Sequence, residues 1–315
     1  MLMYISALIV GILLLVWSAD RFIDGSAKLA KRLRFPTLIV GMVVVGFGTS
    51  APEMVVSATA AWQGDAALAL GNAIGSNIIN ITLILGVTAL LTPLALNQRV
   101  LKKEIPFLII ISLLSGFIFW DLKVTRLEGG ILLVVLMVFL FWMLRVATDG
   151  KNEATEEKID LKIAIFWIFF GLILLIFSSK ILLWGAKNLA LEMGISELII
   201  GLSIIALGTS LPELAASVVA VFKKEHDIAI GNIVGSNIFN LLAVVGLASV
   251  ISPMEGVAKE FFYRDWIFMN FVTLLLLLLG VGFLGKKYRI SFIGGAVLLV
   301  CYLGYNAFLY KEMFL

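Results

Sequence analysis

Ten apolar runs, parted by short polar breaks, fill almost the whole chain. They lie near 4–20, 36–62, 66–92, 104–121, 127–147, 162–183, 196–222, 227–252, 264–284 and 290–310. A helix needs roughly 20 apolar residues to cross the hydrocarbon of a bilayer, and most runs come close to that length. The pattern predicts an all-α polytopic membrane protein of about ten transmembrane helices. Only Trp62-Gln63-Gly64-Asp65 divides the second run from the third. The longest polar stretch, 149–160, sits mid-chain and reads as a short cytoplasmic linker between a first five-helix half, 1–148, and a second, 161–315. Met1-Leu2-Met3-Tyr4 lacks the basic start of a cleavable signal, so the first run is expected to stay as a span.

Two motifs occur twice at one spacing. GTSAPE (48–53) recurs as GTSLPE (208–213), and GNAIGSNIIN (71–80) recurs as GNIVGSNIFN (231–240), both offset by 160 without a gap. Sixteen of the forty positions in 41–80 match their partners, and the matches include Pro, Glu, Asn and Ser. Chance likeness of apolar helices supplies shared Leu and Val, not these. The same offset carries the first run onto the sixth and the fifth onto the tenth. Five spans per copy is odd, so the second copy enters from the opposite side, which makes an inverted repeat of the kind found in many secondary transporters.

Charge adds orientation. With both termini outside, seventeen of the 24 basic residues fall on the inner side, among them Arg21, Lys28, Lys31, Arg32 and Arg34 after the first run. Basic residues favour cytoplasmic loops, so an N-out, C-out protein of the plasma (inner) membrane is expected. Composition agrees: 61% of the 315 residues are hydrophobic and 14% charged, against about 45–50% and about 25% in soluble chains. The excess has to sit in lipid, and the short connections leave no soluble domain. No basic stripe for nucleic acid is present. Cys301 is the one thiol, and His226, beside Lys224 and Glu225, reads as a solvated loop residue. Neither supports a Zn²⁺ or Cu⁺ site or an enzyme active centre, and no cofactor is expected.

The chemistry concentrates in the motifs. A carboxylate at bilayer depth is costly, yet Glu53 and Glu213 lie inside apolar runs at one repeat position with no Lys or Arg mid-run nearby. A carboxylate merely paired with a buried cation is therefore the weaker reading. Pro52 and Pro212 precede them. A proline inside a helix removes a backbone hydrogen bond, so broken helices with freed carbonyls near Gly48, Thr49, Gly208 and Thr209 are expected; a simple kink is the plainer alternative. Thr49, Glu53 and Ser57 recur at four-residue spacing, as do Thr209, Glu213 and Ser217. Asn72, Ser76 and Asn80 share one helix face, and Asn232, Ser236 and Asn240 repeat it. Interhelical hydrogen bonding would account for Asn and Ser, and close packing for the GxxxG glycines Gly71, Gly75, Gly231 and Gly235. Every candidate ligand is an oxygen, which suits hard cations such as Ca²⁺ and Na⁺. Two glutamates are neutralised by one Ca²⁺ or by two Na⁺, so the two loadings compete, and an empty doubly charged site would cross the membrane only at high cost. That is the logic of obligatory exchange.

At these residues the chain resembles the sodium/calcium exchanger family of the cation/Ca²⁺ antiporter superfamily, in its short prokaryotic form without a regulatory domain. The resemblance rests on GTSAPE, GTSLPE and the two GSN segments at 75–80 and 235–240. It implies that Glu53 and Glu213 hold Ca²⁺ with the carbonyls of Thr49 and Thr209. Ser50, Ser76, Ser210 and Ser236, with the carbonyls of Gly46 and Ala206, would hold Na⁺, and Asn80 and Asn240 would complete the middle. It further implies three Na⁺ per Ca²⁺ and a sliding movement of the first and sixth spans. Asn240 points away from K⁺ coupling, and the threonines point to Na⁺ rather than H⁺. A Ca²⁺/H⁺ antiporter and a passive cation channel stay open on the residues alone.

The basic-residue count yields a first test. A reporter fused after Leu315 should read as extracytoplasmic and one inserted within 150–159 as cytoplasmic; a cytoplasmic reading at Leu315 overturns the orientation.

Overall fold

The structure, a computed structural model, describes residues 1–149, 160–194, 206–254 and 257–314. These form helices α1 Leu2–Leu33, α2 Thr37–Thr49, α3 Ala51–Trp62, α4 Ala66–Ile79, α5 Leu85–Leu91, α6 Ile105–Phe119, α7 Arg126–Asp149, α8 Leu161–Glu192, α9 Ala206–Thr209, α10 Leu211–Phe222, α11 His226–Phe239, α12 Val245–Ile251, α13 Ile267–Val281 and α14 Phe292–Phe314. Each expected apolar run meets helix. The start of the seventh run and residues 150–159 of the expected linker lie outside the described residues. Among the described residues, seven helical stretches are long and apolar enough to cross a membrane, or eight if the bent pair α2 and α3 is one span. The chain is thus an integral membrane protein.

Among the described residues, five π-helical turns interrupt or precede these helices. They are Gly41–Gly46 within α2, Asn80–Ile84 between α4 and α5, Val100–Glu104 before α6, Asn240–Val244 between α11 and α12, and Phe261–Trp266 before α13. The turns at Asn80 and Asn240 stand at the repeat offset of 160. Each π turn changes the i→i+4 ladder locally, a feature common at functional sites.

The chain forms two compact units, and each draws on both halves of the sequence: one is 1–53 with 139–235, the other 54–138 with 236–315. In the first unit α1 and α8, of 32 residues each, pack antiparallel along their lengths. Small residues set the contact. A Cβ added at Gly11 would lie 3.0 Å from the Leu182 backbone, one at Gly171 would lie 2.8 Å from Phe22 N, and one at Gly185 would lie 3.0 Å from Tyr4 O. In lipid, close backbone approach of this kind replaces the hydrophobic drive that holds soluble helices together. The outward faces carry exposed Leu13, Val16, Phe169 and Ile173, which belong against acyl chains. Asp20 of α1 pairs with Lys223, just past α10, at 2.7 Å.

The same unit seats α11 on α2. Added Cβ atoms at Gly231 and Gly235 would stand 2.6 Å from Leu38 O and 2.5 Å from Met42 O, so the packing reading of these two glycines holds. The positions 160 residues beyond Leu38 and Met42, which the repeat would set against Gly71 and Gly75, lie outside the described residues.

In the second unit α5 packs on α14 through Gly86 and Gly295, where a Cβ at Gly295 would meet Gly86 O at 2.9 Å. The strands β1 Leu94–Ala95 and β2 Arg289–Ile290 pair antiparallel, Leu94 opposite Ile290, and an isolated bridge joins Val124 to Met254. The Trp266 indole donates to Ser112 O at 3.1 Å and to Ser115 Oγ at 3.0 Å, which fastens the π turn before α13 onto α6. Buried Glu104 takes a 2.7 Å ion pair from Arg99.

Gly235→Val tests the close packing. Overpacking against backbone costs about 1–3 kcal/mol, so the detergent-solubilised variant should melt several degrees below the parent. Gly304→Ala, at an exposed glycine with nothing within 4 Å among the described residues, should melt unchanged or slightly higher.

Candidate functional site

In both copies of the first motif the helix stops for one serine and restarts. Ser50 (φ −80, ψ 0) parts α2 from α3, and Ser210 (φ −88, ψ 4) parts α9 from α10. The first break bends its two helices by 43°. The helices are broken at both prolines, as expected, and Pro52 and Pro212 lie in the first turn of the restarted helix. There the missing N–H is not required and the fixed φ suits the restart. Glu53 and Glu213 follow directly, each in that first turn. A helix N-terminus presents unbonded N–H groups and the positive end of the helix dipole, a setting that favours a carboxylate far from bulk water.

Both glutamates are buried, Glu53 0% and Glu213 1% exposed. Their serine contacts are exchanged between the two motif copies. Ser50 Oγ lies 3.4 Å from Glu213 Oε1, and Ser210 Oγ lies 3.5 Å from Glu53 Oε1. Both contacts are long for O–H···O bonds, whose usual separation is about 2.7–2.8 Å. The two carboxylates thus share one cluster with the serine hydroxyls within the first unit. Glu213 Oε2 has no hydrogen-bond partner among the described residues.

Asn232 braces this cluster. Its Nδ2 donates to Glu213 O at 3.2 Å and to Ser217 Oγ at 2.9 Å, while its Oδ1 lies 2.9 Å from Thr49 Oγ1. Thr49 Oγ1 also lies 3.0 Å from Val45 O, and its single proton serves one acceptor at a time. In the other copy Asn72 Nδ2 donates to Ser57 Oγ at 2.9 Å. Asn72, Asn232, Ser57 and Ser217 thus take the interhelical bonding that the sequence left open. Gly46 O accepts from Ser50 N at 3.1 Å and lies 3.4 Å from Thr49 Oγ1. Thr209 is half-buried and Ala206 opens α9.

The second unit holds Ser76, Asn80, Ser236 and Asn240, all at most 3% exposed. Asn80 and Asn240 each begin a π turn. Asn80 Oδ1 and both amide atoms of Asn240 have no partner among the described residues. Asn77 and Asn237, adjacent to the predicted serines, escaped the sequence reading; their buried amides bond across the two copies, and the repeat of SN in both motifs was the signal that could have found them. No group of three or more His, Cys, Asp or Glu gathers among the described residues. The donor sets are two carboxylates and neutral oxygens, chemistry that fits hard cations. His226, expected in a loop, is instead the half-buried first residue of α11.

Comparison with known proteins adds lineage. The family model described as sodium/calcium exchanger protein matches residues 3–145 and 163–311. CaxA of Alkalimonas amylolytica, named for a proposed antiporter role, is 44% identical over 96% of this chain and 98% of its own. The inner membrane protein YrbG of Escherichia coli (strain K12) is 39% identical over 89% of each chain. A solved structure of the sodium-calcium exchanger NCX_Mj, soaked with zero Na⁺ and Ca²⁺, matches with a TM-score of 0.85 at 27% identity, covering 97% of this chain and 98% of that one.

Asn232→Ala strips partners from buried Thr49, Ser217 and the Glu213 carbonyl. Each lost hydrogen bond costs about 0.5–1.5 kcal/mol, so the midpoint of thermal unfolding should fall clearly. Half-buried Asn72, changed to Ala, should cost less in the same melt.

Proposed function

Because the chain belongs to the sodium/calcium exchanger protein family, we propose that it is a secondary antiporter moving Ca²⁺ across the membrane in exchange for Na⁺. The observation that carries this reading is the buried pair Glu53 and Glu213, each contacted by the serine of the other motif copy. In this reading the pair binds Ca²⁺ with the carbonyls of Thr49 and Thr209, and Ser50, Ser210 and the carbonyls of Gly46 and Ala206 serve Na⁺. Ser76, Ser236, Asn80 and Asn240 offer further neutral oxygens in the second unit.

Electrostatics then gives the coupling. One Ca²⁺ or two Na⁺ cancels the charge of the two carboxylates, and either loading excludes the other. A bare pair of like charges in a low-dielectric interior is strongly unfavourable, so the site changes sides only when loaded. That excludes uncoupled leak and makes exchange obligatory.

The architecture in this proposal is ten spans in two inverted five-span repeats, 1–148 and 161–315, with both termini outside and 149–160 inside. The antiparallel run of α1 and α8, equivalent helices under the 160-residue offset, supports the inversion. Coupling to Na⁺ rather than H⁺ is supported by Thr49 and Thr209 beside the carboxylates.

Flux into reconstituted vesicles tests the reading. An outward Na⁺ gradient should drive Ca²⁺ uptake; uptake driven by a proton gradient alone would mark a Ca²⁺/H⁺ antiporter instead. Glu53→Gln and Glu213→Gln should each reduce Na⁺-driven Ca²⁺ uptake to background, because one carboxylate cannot neutralise a divalent ion. Both variants should still fold, since Gln keeps the size and hydrogen bonding. Near-parental uptake by either variant would refute the shared two-carboxylate site.

A further inference from the structure

Four asparagines of the second unit carry an asymmetry that the sequence repeat lacks. Asn77 and Asn80 stand in the first motif copy, and Asn237 and Asn240 hold the same places in the second. All four are at most 1% exposed. Two bonds join the copies. Asn80 Nδ2 donates to Asn237 Oδ1 at 3.1 Å, and Asn77 Nδ2 donates to the Asn237 carbonyl at 3.3 Å. Asn77 Nδ2 also lies 3.6 Å from Met269 Sδ.

Exchanging the two copies turns this pair of bonds into a mirror pair: Asn240 Nδ2 to Asn77 Oδ1, and Asn237 Nδ2 to the Asn77 carbonyl. Neither is made. The three side-chain atoms the mirror pair would use are Asn240 Nδ2, Asn237 Nδ2 and Asn77 Oδ1. All three are buried with no hydrogen-bond partner among the described residues. Buried polar groups are nearly always satisfied, and leaving them open is costly. Two donors and one acceptor left open in one cluster, matching the absent bonds atom for atom, have a use in a second arrangement of the same residues.

We infer that these four asparagines form a two-position latch, with Asn77 and Asn237 as positioning residues for the ion-binding asparagines. The inference rests on the antiporter reading above. In the arrangement seen, Asn237 holds the Asn80 amide by its nitrogen and leaves Asn80 Oδ1 available to an ion. In the mirror arrangement Asn77 holds Asn240 in the same way. Two copies of nearly the same sequence make the two arrangements close in energy, and a small bias moves the population between them. Each arrangement belongs to one access state, so the latch is remade on the opposite copy each time the transporter turns over.

Aspartate is isosteric with asparagine and separates the two bond sets. Asn237→Asp keeps the acceptor for Asn80 and deletes a mirror donor, so it favours the arrangement seen. Asn77→Asp keeps the acceptor for Asn240 and deletes a donor of the arrangement seen, so it favours the mirror. The added charge acts on both faces, so the readout is a ratio: half-saturating Ca²⁺ at one membrane face over that at the other, in vesicles of known orientation. The two variants should shift this ratio in opposite directions, each by roughly fivefold, as expected for one hydrogen bond. The double variant should return close to the parental ratio. Asn237→Ser, which removes one bond from each arrangement, should leave the ratio close to parental. A static packing role moves the ratio in neither direction. Shifts of the same sign for both aspartate variants, or none, overturn the latch, whereas absence of Na⁺-driven Ca²⁺ flux in the parent protein overturns the antiporter reading itself.

Discussion

Two carboxylates buried side by side at membrane depth set the terms for the first unit. Water is not there to solvate Glu53 and Glu213, so the backbone is bent to serve them. Each sits in the first turn of a helix that restarts after a single serine, and the restart turns N–H groups and a helix dipole toward the acid. The serine at each break then reaches the other copy's glutamate. The broken helix, the exchanged serines and the Asn232 brace all follow from keeping two like charges together in a dry place without quenching them.

The second unit answers a different problem, that of presenting neutral oxygens from helices that would otherwise use all their backbone groups internally. Here the helices do not break. Asn80 and Asn240 each open a π turn, which shifts the ladder by one residue and lets a polar side chain sit at a local irregularity without ending the span. The serine breaks and the asparagine π turns are two ways of making a helix locally polar inside lipid, and each occurs twice, once per repeat.

Much of this was legible in the sequence, because polar residues in apolar runs have few explanations. The doubled GTS-PE motif marked both breaks, the GSN motif marked Asn80 and Asn240, and the oxygen-only chemistry followed from residue type. Three things were not legible. The π turns carry no compositional signature, since Asn80–Ile84 and Asn240–Val244 read as ordinary apolar helix. The prolines marked the helix breaks, but a run of apolar residues hides that each helix stops at Ser50 or Ser210 and restarts one residue before the proline. Asn77 and Asn237 were passed over because a strict four-residue spacing selects Asn72, Ser76 and Asn80, and the residue beside a ligand falls off that face. The division into compact units also cuts across the repeat, because contacts between copies do not follow chain order.

One dimension of the first unit bears on the membrane itself. At about 1.5 Å per residue, helices of 32 residues such as α1 and α8 are about 48 Å long, against a hydrocarbon core of about 30 Å. Bound to each other by glycine contacts along their length, they cannot shorten independently. They meet a thinner or thicker bilayer by leaning as a pair or by deforming the lipid around them, each at a modest cost per ångström of mismatch. If the pair slides in the proposed antiport cycle, lipid thickness becomes an energetic input to that cycle.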